Sequence, residues 1–253
     1  MYARRVVLKG IAGLPMAMVL ADPGLARAAA EGLETVSLTT PAGDRVSAAL
    51  ALPAVTPAPA ILLVHEWWGL NDQIKSVAAE FANQGYVALA IDLYGGRVAD
   101  NRDDAKAFMG EVDATAATAT VAAWVDWLRA RDDAGGKVGT VGWCFGGGWS
   151  LNTALARPVD ATVVYYGRVN KTEADLASLE GPVLGHFATR DKWINGEMVA
   201  GFETAMDAAG KTYTSHWYDA DHAFANPSQA RYDAADAALA WERTLAFFEA
   251  HLR

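Results

Sequence analysis

The stretch Val138-Gly139-Thr140-Val141-Gly142-Trp143-Cys144-Phe145-Gly146-Gly147-Gly148 constrains the fold of this chain more than any other. A short β-branched run leads into a turn with small residues two before and two after a central thiol, and Ala- and Leu-bearing sequence follows through Ala156. This is the pattern of a strand, a sharp turn and a helix. The central residue of such a turn takes a strained backbone conformation, so Gly142 and Gly146 must lack bulk where strand and helix cross. Cys144 is then expected as a nucleophile at a strand's carboxyl end. A helix starting at Phe145 would present N–H groups and partial positive charge that stabilise a thiolate or receive an oxyanion. The competing reading makes Cys144 a small buried hydrophobe and the glycines mere packing aids.

Hydrophobic patterning extends this unit to the rest of the chain. Glu34 to Thr39 and Val46 to Leu52 alternate as half-buried strands around a turn at Pro41-Ala42-Gly43-Asp44, which predicts an opening antiparallel hairpin. Ala60 to Val64 and Tyr86 to Ile91 are continuous apolar runs, as expected for parallel strands covered on both faces. Between them, Ile74, Val77, Ala78 and Phe81 mark the buried face of a helix capped by Asp72. Arg97 to about Asp104 is expected as a mobile polar connection, followed by a helix over about Val112 to Ala130 with Val121, Trp124, Val125 and Leu128 inside. Beyond the thiol turn, Ala161 to Tyr166, Val183 to Phe187 and Thr212 to Tyr218 are expected strands. They alternate with helical patterns near Thr172 to Leu179, Gly196 to Ala209 and Ser228 to about Leu252, the last with Trp241, Leu245, Phe248 and Leu252 on one face. Strand and helix alternate throughout, so the expectation is a single α/β domain with a doubly wound, mostly parallel sheet.

Composition narrows the partners. With 253 residues, about half of them apolar, the chain can bury a large core, and its one cysteine excludes an intrachain disulfide. Residues Ala3-Arg4-Arg5-Val6-Val7-Leu8-Lys9 resemble a twin-arginine export signal. An apolar stretch from Gly10 to Leu20 and the small-x-small pattern Ala26-Arg27-Ala28 follow. Residues 1–30 are thus expected to be an export signal read by the twin-arginine machinery, and 31–253 the mature domain, placed in the periplasm or otherwise exported. The competing reading, a membrane anchor, has too short an apolar run, broken by Pro15. Cutting after Ala28 removes Arg4, Arg5, Lys9 and Arg27 with Asp22, so the net charge moves from -9 to -12. A chain that acidic, with no Lys/Arg run, is a poor partner for nucleic acid or an anionic membrane.

A thiol nucleophile needs a base and a group to orient that base. Asp191, in Ala188-Thr189-Arg190-Asp191-Lys192, and His222, in Asp219-Ala220-Asp221-His222-Ala223-Phe224, each follow an expected strand. His65, beside Glu66, is the main rival base. His65-Glu66 is no zinc motif, because position 69 is Gly where a second His would be required. His186 and His216 lie inside expected strands and read as core or edge residues, and His251 lies near the terminus. For Asp191 the competing role is a helix N-cap.

Four segments together resemble the dienelactone hydrolase family: His65-Glu66-Trp67-Trp68-Gly69-Leu70-Asn71, the turn around Cys144, Asp191, and His216-Trp217-Tyr218-Asp219-Ala220-Asp221-His222. The resemblance runs from about Glu34 to Arg253 and implies an α/β-hydrolase fold, whose order of nucleophile, acid and base this chain shares. It further implies Cys144 as nucleophile, His222 as base, Asp191 as orienting acid, and Glu66 as an extra carboxylate that keeps the resting thiol protonated. It puts the oxyanion hole at the backbone N–H groups of Phe145 and Trp67. The implied reaction is hydrolysis of an ester or lactone through an acyl-thioester, as in a carboxymethylenebutenolidase, by a monomer with no cofactor and no metal. A general carboxylesterase or thioesterase, or a non-catalytic periplasmic binding protein, are the alternatives.

One departure bears on the substrate. Enzymes of the family that act on dienelactones hold the substrate carboxylate with two arginines. Here the second position is Asn226, which cannot make a charged bidentate contact, and Arg102 is the match for the first. Trp68, Tyr94, Trp143 and Tyr166, with Trp67, Trp149, Tyr165 and Trp193, lie near the strand ends and predict an apolar pocket for a neutral or aromatic ester. The strict dienelactone is accordingly expected to be a poor substrate.

Overall fold

The computed structural model describes residues 23–253, so the twin-arginine motif and the apolar stretch after it lie outside the described residues. Backbone contacts divide the chain into two compact units, 1–136 and 137–253.

In the first unit a short helix, α1 (Pro23–Glu31), precedes the hairpin β1 (Glu34–Thr39) and β2 (Arg45–Ala51). Then come β3 (Ala58–Val64), α2 (Asp72–Asn83), β4 (Val87–Ile91), α3 (Arg102–Gly110), α4 (Ala114–Arg129) and the first residues of β5 (Ala134–Trp143). Its strands are ordered β1-β2-β4-β3. The β1–β2 and β2–β4 pairs are antiparallel and the β3–β4 pair is parallel. Gly43, at φ 95°, turns the hairpin where the sequence required a turn. Every residue of β4 is inaccessible to solvent, which is why its sequence is an unbroken apolar run rather than an alternating one.

Ile74, Val77, Ala78 and Phe81 of α2 and Val121, Trp124, Val125 and Leu128 of α4 are all buried, as their spacing predicts. Each large side chain so buried stabilises the unit by about 1.5–3 kcal/mol relative to exposure. The cap of α2 is Asn71 rather than Asp72. Asn71 has the extended backbone of a cap, and its Oδ1 accepts the N–H of Ile74, while Asp72 is the first helical residue. The connection expected to be mobile, Arg97 to about Asp104, ends in the first turn of α3, whose N-terminus Asn101 caps by accepting the N–H groups of Asp103 and Asp104. The helix expected over Val112 to Ala130 is α4 alone, begun at the Asp113 cap. Ala26-Arg27-Ala28, the expected export cleavage pattern, lies within α1, where Ala29 is buried against Ala79 of α2.

The second unit carries the rest of β5, then α5 (Phe145–Ala156), β6 (Ala161–Tyr165), β7 (Val183–Ala188), α6 (Gly196–Ala208), β8 (Tyr213–Tyr218) and α7 (Ala234–Leu252). Its strands run β5-β6-β7-β8 with every neighbouring pair parallel. The mostly parallel α/β architecture expected from the alternation of strands and helices is the one observed. Two expectations fail here. Thr172 to Leu179 forms turns and no helix, because Thr172 and Asp175 bond to each other through side chain and backbone and satisfy the segment locally. The last helix starts at Ala234, capped by Asp233, while Ser228 is held by Asn226 in a turn before it. The buried stripe of α7 is Ala237, Ala240, Thr244, Phe248 and Leu252, with Trp241 and Leu245 half-buried.

Candidate active site

β5 delivers Trp143 at its end and α5 begins at Phe145, so Cys144 occupies the turn between them. Its backbone sits at φ 55°, ψ -116°, a conformation that L residues avoid and that costs about 1–3 kcal/mol. The glycines around it make that geometry possible. A Cβ on Gly142 would stand 1.9 Å from the carbonyl oxygen of Gly146, and one on Gly147 would stand 2.6 Å from that of Tyr165. The Cys144 N–H donates to Tyr165 O at 3.0 Å, which ties the turn to the end of β6. The thiol is half-buried and takes no part in capping α5, and it stands at the positive end of that helix.

Asp191 follows β7 and His222 follows β8, so two parallel strand ends bring acid and base together. His222 Nδ1 lies 2.6 Å from Asp191 Oδ2. The other carboxylate oxygen, Asp191 Oδ1, accepts the N–H groups of Trp193 at 2.8 Å and Ile194 at 3.1 Å. Burial works against the charged carboxylate, but these hydrogen bonds, led by that of His222, prevail and hold it below its ordinary range. For His222, burial alone would lower the imidazole; hydrogen bonds to Asp191 and Cys144 outweigh it and push the pKa up to about 10. Since Nδ1 is committed to Asp191, Nε2 is the nitrogen left to meet Cys144. The three side chains therefore form one hydrogen-bonded group, with His222 between Asp191 and Cys144.

Aromatic rings pack around His222. Tyr166 is fully buried at φ 35° and packs on both His222, at 5.1 Å between centroids, and Phe224, at 5.4 Å. Trp193 meets His222 edge-on at 5.2 Å. Trp143 is buried and stacked on Tyr165 at 5.5 Å. Asn226 is also buried, and its Oδ1 accepts the N–H and hydroxyl of Ser228, which gives it a turn-forming task.

In the first unit the expected site residues gather at the carboxyl ends of β3 and β4. Glu66 is buried immediately after His65, and Trp67 and Trp68 lie edge to face at 5.1 Å. Tyr94 is buried between His65, at 4.7 Å, and Phe108, at 6.0 Å. His65, the rival base, is fully buried with Nδ1 at 2.6 Å from Glu66 O and Nε2 accepting the Leu93 N–H at 3.1 Å. Burial lowers its pKa, so it is a neutral imidazole that ties the two strand-end loops together. Gly69, at φ 90°, lets these loops close, since a Cβ there would stand 2.4 Å from Arg97 O. Arg102 is exposed in the first turn of α3.

His186 is the core residue its place in a strand predicts, but its polar partners have no counterpart in the sequence pattern. His186 Nδ1 lies 2.8 Å from the Tyr218 hydroxyl and Nε2 3.0 Å from Thr244 Oγ1, which in turn is 2.6 Å from the Tyr165 hydroxyl. The one sequence signal was a threonine in the apolar stripe of α7.

Known proteins resemble this chain over most of its length. The model of the dienelactone hydrolase family matches residues 46–252. A protein of Aquifex pyrophilus named usf is 34% identical over 209 residues, covering 77% of this chain and 89% of that protein. A carboxymethylenebutenolidase of Pseudomonas putida is 31% identical over 229 residues, covering 85% of this chain and 95% of that enzyme. A solved structure from Klebsiella pneumoniae, described as a putative dienelactone hydrolase, superposes with a TM-score of 0.76 at 26% identity, covering 86% of this chain and 98% of that one.

Proposed function

The chain belongs to the dienelactone hydrolase family, hydrolases of ester and lactone bonds, and from that premise we propose that it works through a cysteine nucleophile and an acyl-thioester. The observation that carries the proposal is the 2.6 Å contact of His222 with Asp191 beside a thiol held on a strained turn.

The Cys144 proton passes to Nε2 of His222, and the imidazolium is stabilised by the Asp191 carboxylate. Sγ attacks the carbonyl carbon, and negative charge gathers on the carbonyl oxygen near the first turn of α5, where the Phe145 N–H is the proposed donor. The intermediate collapses as His222 returns its proton to the departing alcohol oxygen, leaving the acyl group on sulfur. Neutral His222 then takes a proton from water, hydroxide adds to the thioester, and the thiol leaves as the acid is released. Asp191 supplies orientation: its two N–H bonds from Trp193 and Ile194 fix the carboxylate, and the carboxylate fixes the ring.

Hydrolysis of p-nitrophenyl acetate by the native chain and by Cys144→Ala tests this. Turnover lost with the thiol is the expected result, and turnover undiminished without it would remove cysteine from the mechanism. Export belongs to the proposal on the sequence alone, through Arg4-Arg5 and the apolar stretch that follows. Fractionation of expressing cells, with Arg4→Lys and Arg5→Lys replaced together, tests that step; an unchanged distribution would count against it.

A further inference from the structure

Among the described residues Trp193 is the most exposed aromatic, at 58%, and of the two rings on the His222 imidazole it is the exposed one, Tyr166 being buried. Three contacts fix its position. Its backbone N–H is committed to Asp191 Oδ1 at 2.8 Å, and its ring meets His222 at 5.2 Å with the planes 72° apart. The guanidinium of Arg231, on the segment between His222 and α7, lies 5.4 Å from the ring centroid. Arg97, Arg131, Arg190 and Arg253 each hold a carboxylate. Half-buried Arg231 holds none among the described residues and lies against the indole instead. A large ring is therefore kept facing solvent, with its face against a cation and its backbone tied to the proposed catalytic acid.

We propose that Trp193, steadied by Arg231, is a specificity-determining wall for the leaving group, and that it selects esters whose alcohol portion is a flat aromatic ring. The inference rests on the hydrolytic reading above. His222 must stand beside the departing oxygen to protonate it, so a ring edge-on to His222 borders the alcohol side of the scissile bond. An aryl group there gains an aromatic partner already held in place, while a short alkyl group gains little. Arg231 adds a cation–π contact that restrains the indole at a site where solvent would otherwise let it turn.

The test compares kcat and KM for phenyl acetate and ethyl acetate in the native chain, Trp193→Ala, Trp193→Phe and Arg231→Gln. The expected result for Trp193→Ala is a loss of about tenfold in kcat/KM for phenyl acetate, carried by KM, with ethyl acetate changed less than about twofold. Trp193→Phe restores most of the phenyl acetate activity, and Arg231→Gln falls between native and Trp193→Ala. An equal fall in kcat for both esters would make Trp193 a prop for Asp191 and His222 and overturn the assignment while leaving the hydrolytic reading intact. Failure of the native chain to turn over either ester would overturn the hydrolytic reading and this inference with it.

Discussion

His186 and His222 are buried imidazoles of the same unit, on adjoining parts of one parallel sheet, and they are driven in opposite directions. His186 is fully buried between two hydroxyls, and burial first, with the nearby His216 and Arg243 next, holds its pKa well below the ordinary value. His222 suffers the same kind of desolvation, yet a carboxylate at 2.6 Å and a thiol reverse the outcome and take it to about 10. Burial has one sign for both rings. The partner decides which ring is held protonated and which stays a neutral strut.

Making the partner of His222 neutral should bring it toward the condition of His186, and this is the largest effect expected. Asp191→Asn preserves shape but removes the charge, and should lower kcat by about 10³–10⁴-fold with the His222 titration seen by NMR shifted downward. Activity retained in that variant would break the comparison. A smaller effect is expected at the strut. Thr244→Val leaves the Tyr165 hydroxyl and His186 Nε2 short of a partner, so unfolding in urea should show a loss of about 1–3 kcal/mol with kcat little changed. A large fall in kcat there would mean the two imidazoles are not separate in function.

The smallest effect is in the pH dependence of stability, and it has opposite signs at the two rings. The folded pKa of His222 lies above its unfolded value, so its contribution is complete below the unfolded value near 6.5 and is lost as pH rises toward about 10. The folded pKa of His186 lies below 6.5, so its contribution is complete above that pH and is lost as pH falls beneath it. Melting temperatures against pH should therefore show a flatter alkaline limb in His222→Gln and a flatter acid limb in His186→Gln. The same change in both variants would remove the distinction.

The same contrast explains what the sequence disclosed. The strained turn at Cys144 and the meeting of Asp191 with His222 follow from local patterns: a glycine-flanked turn, and a polar group soon after an apolar strand. The parallel strands were legible because burial on both faces leaves no polar position in β4. His186 read as a core residue, but its partner Thr244 lies 58 positions away on another element, and no local period announces a pairing across that distance. Short-range competition defeated other expectations. Asn71 and Asp72 are both good caps, and only the backbone angles choose between them. Helix α3 buries a single residue, Ala105, and so offers no apolar stripe to detect. Leu176 and Leu179 have helical spacing, but the side-chain bonds of Thr172 and Asp175 close turns instead. Arg102 and Asn226 were placed by alignment to a motif, where Asn226 proves to be occupied with Ser228.

Cys144 is the sole sulfhydryl in 253 residues, and it is half-exposed on its turn. Quantification follows directly from that. Under the proposed mechanism a thiol-specific dye counts catalytic centres one for one, and the competent fraction of a preparation is then readable from a single absorbance. By the same arithmetic, cysteine-directed tethering to a support can use no residue but Cys144, and under that mechanism it would occupy the centre itself.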